Sequence, residues 1–126
     1  MCLYSNTNVP SIAKRDILVY KVLLQKDGKY YAPYQETYEY KKGINIPSEN
    51  KQRILCRDKD FQISFGILHS CKTRGQAKYI LSILKLMSPY PIKQFIVVKM
   101  YIPKGTKFFI SSDKREYASN KLLWLV

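Results

Sequence analysis

Residues 61–87 read Phe61-Gln-Ile-Ser-Phe-Gly-Ile-Leu-His-Ser-Cys-Lys-Thr-Arg-Gly-Gln-Ala-Lys-Tyr-Ile-Leu-Ser-Ile-Leu-Lys-Leu-Met87, and the hydrophobic period changes inside them. Phe61, Ile63, Phe65 and Ile67 repeat every second residue, the spacing that sets one face of a strand against a core. Gly66 within that run predicts a bulge or a close backbone approach. The repeat then lengthens: Ala77, Ile80, Leu81, Leu84 and Met87 recur at helical spacing. Thr73-Arg-Gly-Gln76 has the form of a capping box, and Ser88-Pro89 supplies a stop. The stretch predicts a strand running into an amphipathic helix over about residues 73–88.

Outward from there, strand signals dominate. Residues 17–24, Ile-Leu-Val-Tyr-Lys-Val-Leu-Leu, form a near-continuous apolar run that predicts a central strand buried on both faces. Asp27-Gly28 offers a turn. Tyrosines crowd residues 29–40 (Tyr30, Tyr31, Tyr34, Tyr38 and Tyr40), predicting strands or extended loops broken at Pro33. Residues 42–60 are polar and read as a long surface excursion. Residues 94–102 give a second strong strand, Pro103-Lys-Gly105 a turn suited to type I, and residues 107–110 a short strand. Residues 122–126 close the chain as a last strand, with an optional helix near Ala118. The sum is an α+β fold: five to seven strands in a mostly antiparallel sheet, whole or split, with one helix. A chain of 126 residues predicts a single domain, with 1–16 an irregular N-terminal segment and 17–126 the core.

Charge is the strongest compositional signal. Twenty-two Lys and Arg against nine Asp and Glu give +13, a field that attracts anions: nucleic acid, an acidic protein surface or lipid headgroups. Lys29, Tyr30, Tyr31, Tyr34, Lys41 and Lys42 interleave cations with rings, a composition suited to stacking on bases and contacting phosphates. Arg74, Lys78 and Lys85 make a basic stripe on the outer face of the helix. The bland reading of both sets is solvated charge beside half-buried strand residues. No RNA-recognition, KH, helix-turn-helix or zinc-finger signature is present, and no P-loop or dinucleotide fingerprint. Three cysteines without C-x-x-C spacing and a single histidine predict no metal site and a reducing compartment. Cys71 stands two residues past His69, where a small buried thiol is the expected role. Neither a membrane span nor a secretory leader is expected, which predicts an intracellular protein.

Two lysines interrupt apolar strand faces. Lys21 shares a face with Val19 and Leu23, and Lys99 with Val97 and Tyr101. A buried ammonium is costly unless paired, so each either extends to solvent or meets an anion. Both are candidate ligand-binding residues, with Tyr20 beside Lys21. Glu116, one of two acids after Asp60, is the natural partner for a buried cation in the C-terminal half.

Two resemblances add to this. Tyr20-Lys-Val22, Pro33-Tyr34, Gly66-x-x-His69-Ser70, Val98-Lys-x-Tyr-Ile-Pro-Lys-Gly-Thr-Lys107 and Glu116-Tyr-Ala-Ser-Asn-Lys121 resemble segments of small phage and mobile-element proteins, over most of residues 17–126. That resemblance implies context, including a virion or assembly component, and no chemistry. The order of features also resembles the ADP-ribosyltransferase fold, a split sheet that clasps NAD. It implies a first-strand station at Lys21 or Tyr20, a second at His69 and Ser70 before the helix, and a late-strand carboxylate at Glu116. Lys21 stands where that family has Arg or His, and no Glu-x-Glu pair precedes the third station. The leading expectation is a non-catalytic, cofactor-free binding or structural module for an anionic partner, nucleic acid or acidic protein. The alternatives are an NAD-using transferase with Glu116, His69 and Ser70 as catalytic residues, and a virion component whose surface serves protein assembly.

Overall fold

The computed structural model describes residues 2–33, 38–47, 52–57, 60–64 and 67–125. In chain order its strands are β1 (Cys2–Ser5), β2 (Ser11–Ile12), β3 (Ile17–Lys26), β4 (Lys29–Tyr31), β5 (Glu39–Tyr40), β6 (Gly43–Asn45), β7 (Arg53–Arg57), β8 (Asp60–Ser64) and β9 (Leu68–Cys71). There follow α1 (Arg74–Met87), a 3₁₀ turn (Ile92–Gln94), β10 (Phe95–Ile102), β11 (Lys107–Ile110), β12 (Glu116–Ser119) and β13 (Leu122–Trp124). The larger sheet runs β2-β11-β12-β9-β3-β10-β13-β6, with β4 on β3 and β5 on β4; a smaller one runs β1-β8-β7. Among the described residues the strands of both sheets pair antiparallel. The fold is α+β with one helix, as the sequence predicts.

The apolar run of β3 makes it central. Val19 and Leu23 join Leu68, Met100, Ile102, Leu122 and Trp124 in a core on one face of the sheet. Val22 and Leu24 join Cys71, Phe95, Ala77 and Leu84 on the other, beneath α1. The helix starts and stops where its caps dictate: Thr73 Oγ1 accepts from the Gln76 amide at 3.1 Å, and the Ser88 amide donates to the Leu84 carbonyl at 2.8 Å. The small sheet seats Leu3 and Ile63 against Phe109 and Ala118. Ala118 pairs with His69, and Glu116 with Cys71, so these residues share the helix face of the sheet. The helix and the small sheet therefore lie on the same face.

Several expectations are corrected. The count is 13 strands among the described residues, not five to seven. The N-terminal segment is not irregular: β1 pairs with β8 and β2 with β11. The polar stretch 42–60 contains β6 and β7. Residues 61–68 are not one strand, since β8 and β9 belong to different sheets. Short strands of this kind form on a partner's edge and carry little local signal. Ala118 lies in β12, with no helix around it. Gly105 has φ 87° at the third residue of a turn closed by the Thr106 amide on the Pro103 carbonyl, which is the type II pattern and not type I. The bulge expected at Gly66 and the ring of Tyr34 lie outside the described residues.

Candidate functional site

The two edges of β3 are unlike. Against β10 it pairs continuously, from Phe95 opposite Leu24 to Ile102 opposite Ile17. Against β9 it is registered through one pair, Tyr20 opposite Cys71. Past that pair the sheet opens, and a cleft occupies the opening. Lys21, Ser70, Leu68 and Tyr40 line it together with Val22, His69, Cys71, Ile80 and Glu116. The first group belongs to one face of the sheet and the second to the other, by the two-residue alternation and the cross-strand register. The cleft is a slot through the sheet, which is why both faces contribute.

Lys21 bridges the slot. Its ammonium donates to the His69 carbonyl at 2.6 Å, taking the place of a ladder amide where the strands have parted. It also stands 5.2 Å from the Tyr40 ring centroid. Lys21 is only 8% exposed. Burial lowers its ammonium to about 8, against the opposing pull of Cys71 and Glu116. The same burial pushes the Cys71 thiol up to about 12, with Glu116 adding to it, so Cys71 is held as an inert thiol. Tyr40 is held neutral by burial.

Glu116 reaches the slot from β12, the strand beyond β9. Burial raises its carboxyl above the usual range, Asp113 adds to this and Lys21 opposes it. Its backbone is pinned by Ser111, whose hydroxyl accepts from the Glu116 amide at 3.0 Å and the Arg115 amide at 3.2 Å while donating to Asp113 Oδ1 at 2.5 Å. Ser70 is 2% exposed, and its hydroxyl oxygen has no hydrogen-bond partner among the described residues. A hydroxyl buried in that state is expensive, and a bound polar group would satisfy it.

His69, Ile80 and Glu116 also border a second hollow, between α1 and the small sheet, whose other walls include Tyr4, Gln76, Tyr79, Ser112 and Asp113. The slot and this groove thus adjoin at His69, Ile80 and Glu116.

The structure brings Lys21, His69, Ser70 and Glu116 together and leaves the other sequence candidates elsewhere. Tyr20 packs under the helix, with the Arg74 guanidinium 5.0 Å from its ring. Lys99 is exposed on β10, outside the lining of the slot. Tyr30 packs edge-on against Trp124 at 5.0 Å and Tyr31 joins the core beneath the helix, so neither ring forms an open stacking platform. Both are half-buried strand residues, and Tyr34, the remaining ring of that candidate surface, lies outside the described residues. Lys29, Lys41, Lys42, Arg74, Lys78 and Lys85 are exposed, with Lys42 4.5 Å from the Trp124 ring. Sequence reasoning missed Tyr38 and Tyr40 as a wall of the slot and Ser111 as the anchor of Glu116. Among the described residues no three His, Cys, Asp or Glu side chains cluster as metal ligands, and no helix is long and apolar enough to cross a membrane. No family model, curated protein or solved structure matches this chain.

Proposed function

We propose that the slot binds NAD as a substrate and that the protein transfers ADP-ribose from it. The observation that carries this reading is the convergence of Lys21, Ser70 and Glu116, on the neighbouring strands β3, β9 and β12, at the point where the sheet splits. That is the order of stations implied by the resemblance to ADP-ribosyltransferases. The lining suits the ligand: an aromatic wall at Tyr38 and Tyr40, a buried ammonium, and a buried hydroxyl without a partner.

Each group has a role. The Lys21 ammonium attracts the pyrophosphate as a point charge, without the bidentate fork of Arg. The tyrosine wall stacks on the nicotinamide ring, and the Ser70 hydroxyl bonds a polar group of the ligand. When the bond from ribose C1 to the nicotinamide nitrogen breaks, nicotinamide leaves with the electron pair and the ribose becomes positive. The half-buried Glu116 carboxylate stabilises that charge, acting more strongly than it would in bulk solvent. A nucleophile then forms the new bond to C1 and gives up its proton.

Labelled NAD incubated with host lysate tests this. Label should pass to a macromolecule with the wild type and not with Glu116→Ala. Equal labelling by both, or by neither, rejects the reading.

A second reading follows from the exposed cations Arg74, Lys78 and Lys85 and the net charge of +13. On that reading the protein is a cofactor-free module of phage-like origin engaging an anionic partner, nucleic acid or an acidic protein. Its binding to nucleic acid should weaken steeply with salt; binding indifferent to salt, or none at low salt, removes it.

A further inference from the structure

The small sheet ends in a strand whose outer edge has no partner among the described residues. The order is β1-β8-β7, and β7 is the last member. Its five residues, Arg53-Ile-Leu-Cys-Arg57, contain no proline. Ile54 and Leu55 are 37% and 40% exposed, and Cys56 is exposed as well. Opposite Ile54 in β8, Ile63 is buried, so the inner face of the small sheet continues past the core onto β7, where the described residues leave Ile54 partly exposed. An apolar edge of this length is a template for one more strand.

The charges on the strand select what can add. Arg53 and Arg57 stand at its two ends, and a second copy pairing antiparallel about Leu55 would set each Arg53 opposite the other copy's Arg57. A parallel copy would stack like on like. Like charges facing one another across a ladder are destabilising, so the edge repels itself. A strand with a carboxylate opposite Arg53 and apolar side chains beyond it meets the exposed cation of this edge, and a second carboxylate four residues on matches the register position of Arg57. Arg57 already has Asp60 opposite it in β8, whereas Arg53 faces Ser64, which makes Arg53 the stronger selector. The net charge of +13 steers the same class of partner inward.

We infer that β7 is a docking edge for an extended acidic segment of a partner protein, which adds to the small sheet as a fourth strand. This edge is separate from the slot, and NAD plays no part in it.

The test uses the full chain and two capped peptides of alternating valine and threonine. One carries glutamate at two positions four apart, the other lysine in the same places. Fluorescence anisotropy reads binding, and hydrogen exchange reads which amides become protected. The glutamate peptide should bind at least about fivefold more tightly than the lysine peptide, on the scale of a cross-strand charge pair, and should protect residues 53–57. Arg53→Glu should cancel or invert the preference; if that variant fails to fold, Arg53→Gln should still reduce it. Binding of neither peptide, or protection confined to other residues, overturns the inference. So does a dimer of the free protein that protects β7, or a single-stranded oligonucleotide that protects the same amides as well as the glutamate peptide does.

Discussion

One strand, β3, makes two opposite kinds of seam, with β10 along one edge and with β9 along the other. With β10 it forms a continuous ladder that buries Val19, Leu23 and Met100; with β9 it forms one registered pair and then a gap. The closed seam contributes stability through apolar burial. The open seam places an ammonium, a carboxylate and an unpartnered hydroxyl where a ladder would otherwise run, each carrying a cost of burial. Polar groups held at such a cost are what the proposed binding of NAD rests on.

The sharpest way to break this contrast is at the closed seam. Leu23 is fully buried, so Leu23→Ala should cost about 2–5 kcal/mol in chemical denaturation, transfer and cavity effects adding. A loss below about 1 kcal/mol would show that the seam is not the core it is taken for. At the open seam, Glu116→Gln should leave the denaturation midpoint near that of the wild type. It should reduce label transfer from NAD by about a hundredfold, the scale of losing one charge-stabilising group. A variant that keeps its rate would separate the carboxylate from the chemistry.

Lys21 gives a pH signature with two opposite trends. Its folded value, about 8, lies below the ordinary 10.5, so the unfolded chain keeps its proton to higher pH. Between about 8 and 10.5 unfolding takes up a proton, and the stability contributed by this group rises with pH across that window. Anion binding runs the other way, because the ammonium is lost as pH rises through about 8. Titration calorimetry with ADP-ribose should show affinity falling there, and Lys21→Met should flatten both trends. The smallest effect is expected from Ser70→Ala. Removing an unsatisfied buried hydroxyl should change stability by less than about 1 kcal/mol while weakening ADP-ribose binding about fivefold, the worth of one hydrogen bond. A large loss of stability would mean that the hydroxyl has a structural partner.

The legible part of the fold is the part with strong local periodicity. The apolar run of β3, the alternation of β10 and the capped helix α1 all carry their conformation in their own residues. Lys21 was visible as a site candidate because a cation breaks an apolar face, and Glu116 because acids are rare in the C-terminal half. The rest depends on long-range pairing. β1, β2 and β7 are short or polar and become strands because another edge accepts them. Tyr40 looked like one more ring in a tyrosine-rich surface; it lines the slot because β4 and β5 attach to β3 and carry it inward. The split itself had no signature in the residues that flank it.

The Ser111 hydroxyl, gripping two successive amides and the Asp113 side chain, separates the identity of a loop from its shape. Arg115 at the hairpin tip is exposed and its side chain can be exchanged without displacing the acid that follows, whereas Lys114, at φ 61°, favours replacement by Gly, Asn or Asp. Exchange of the exposed side chain at this tip therefore changes what the loop presents to solvent while Glu116 stays in place, and a single hydroxyl-to-methyl change at position 111 would end that independence.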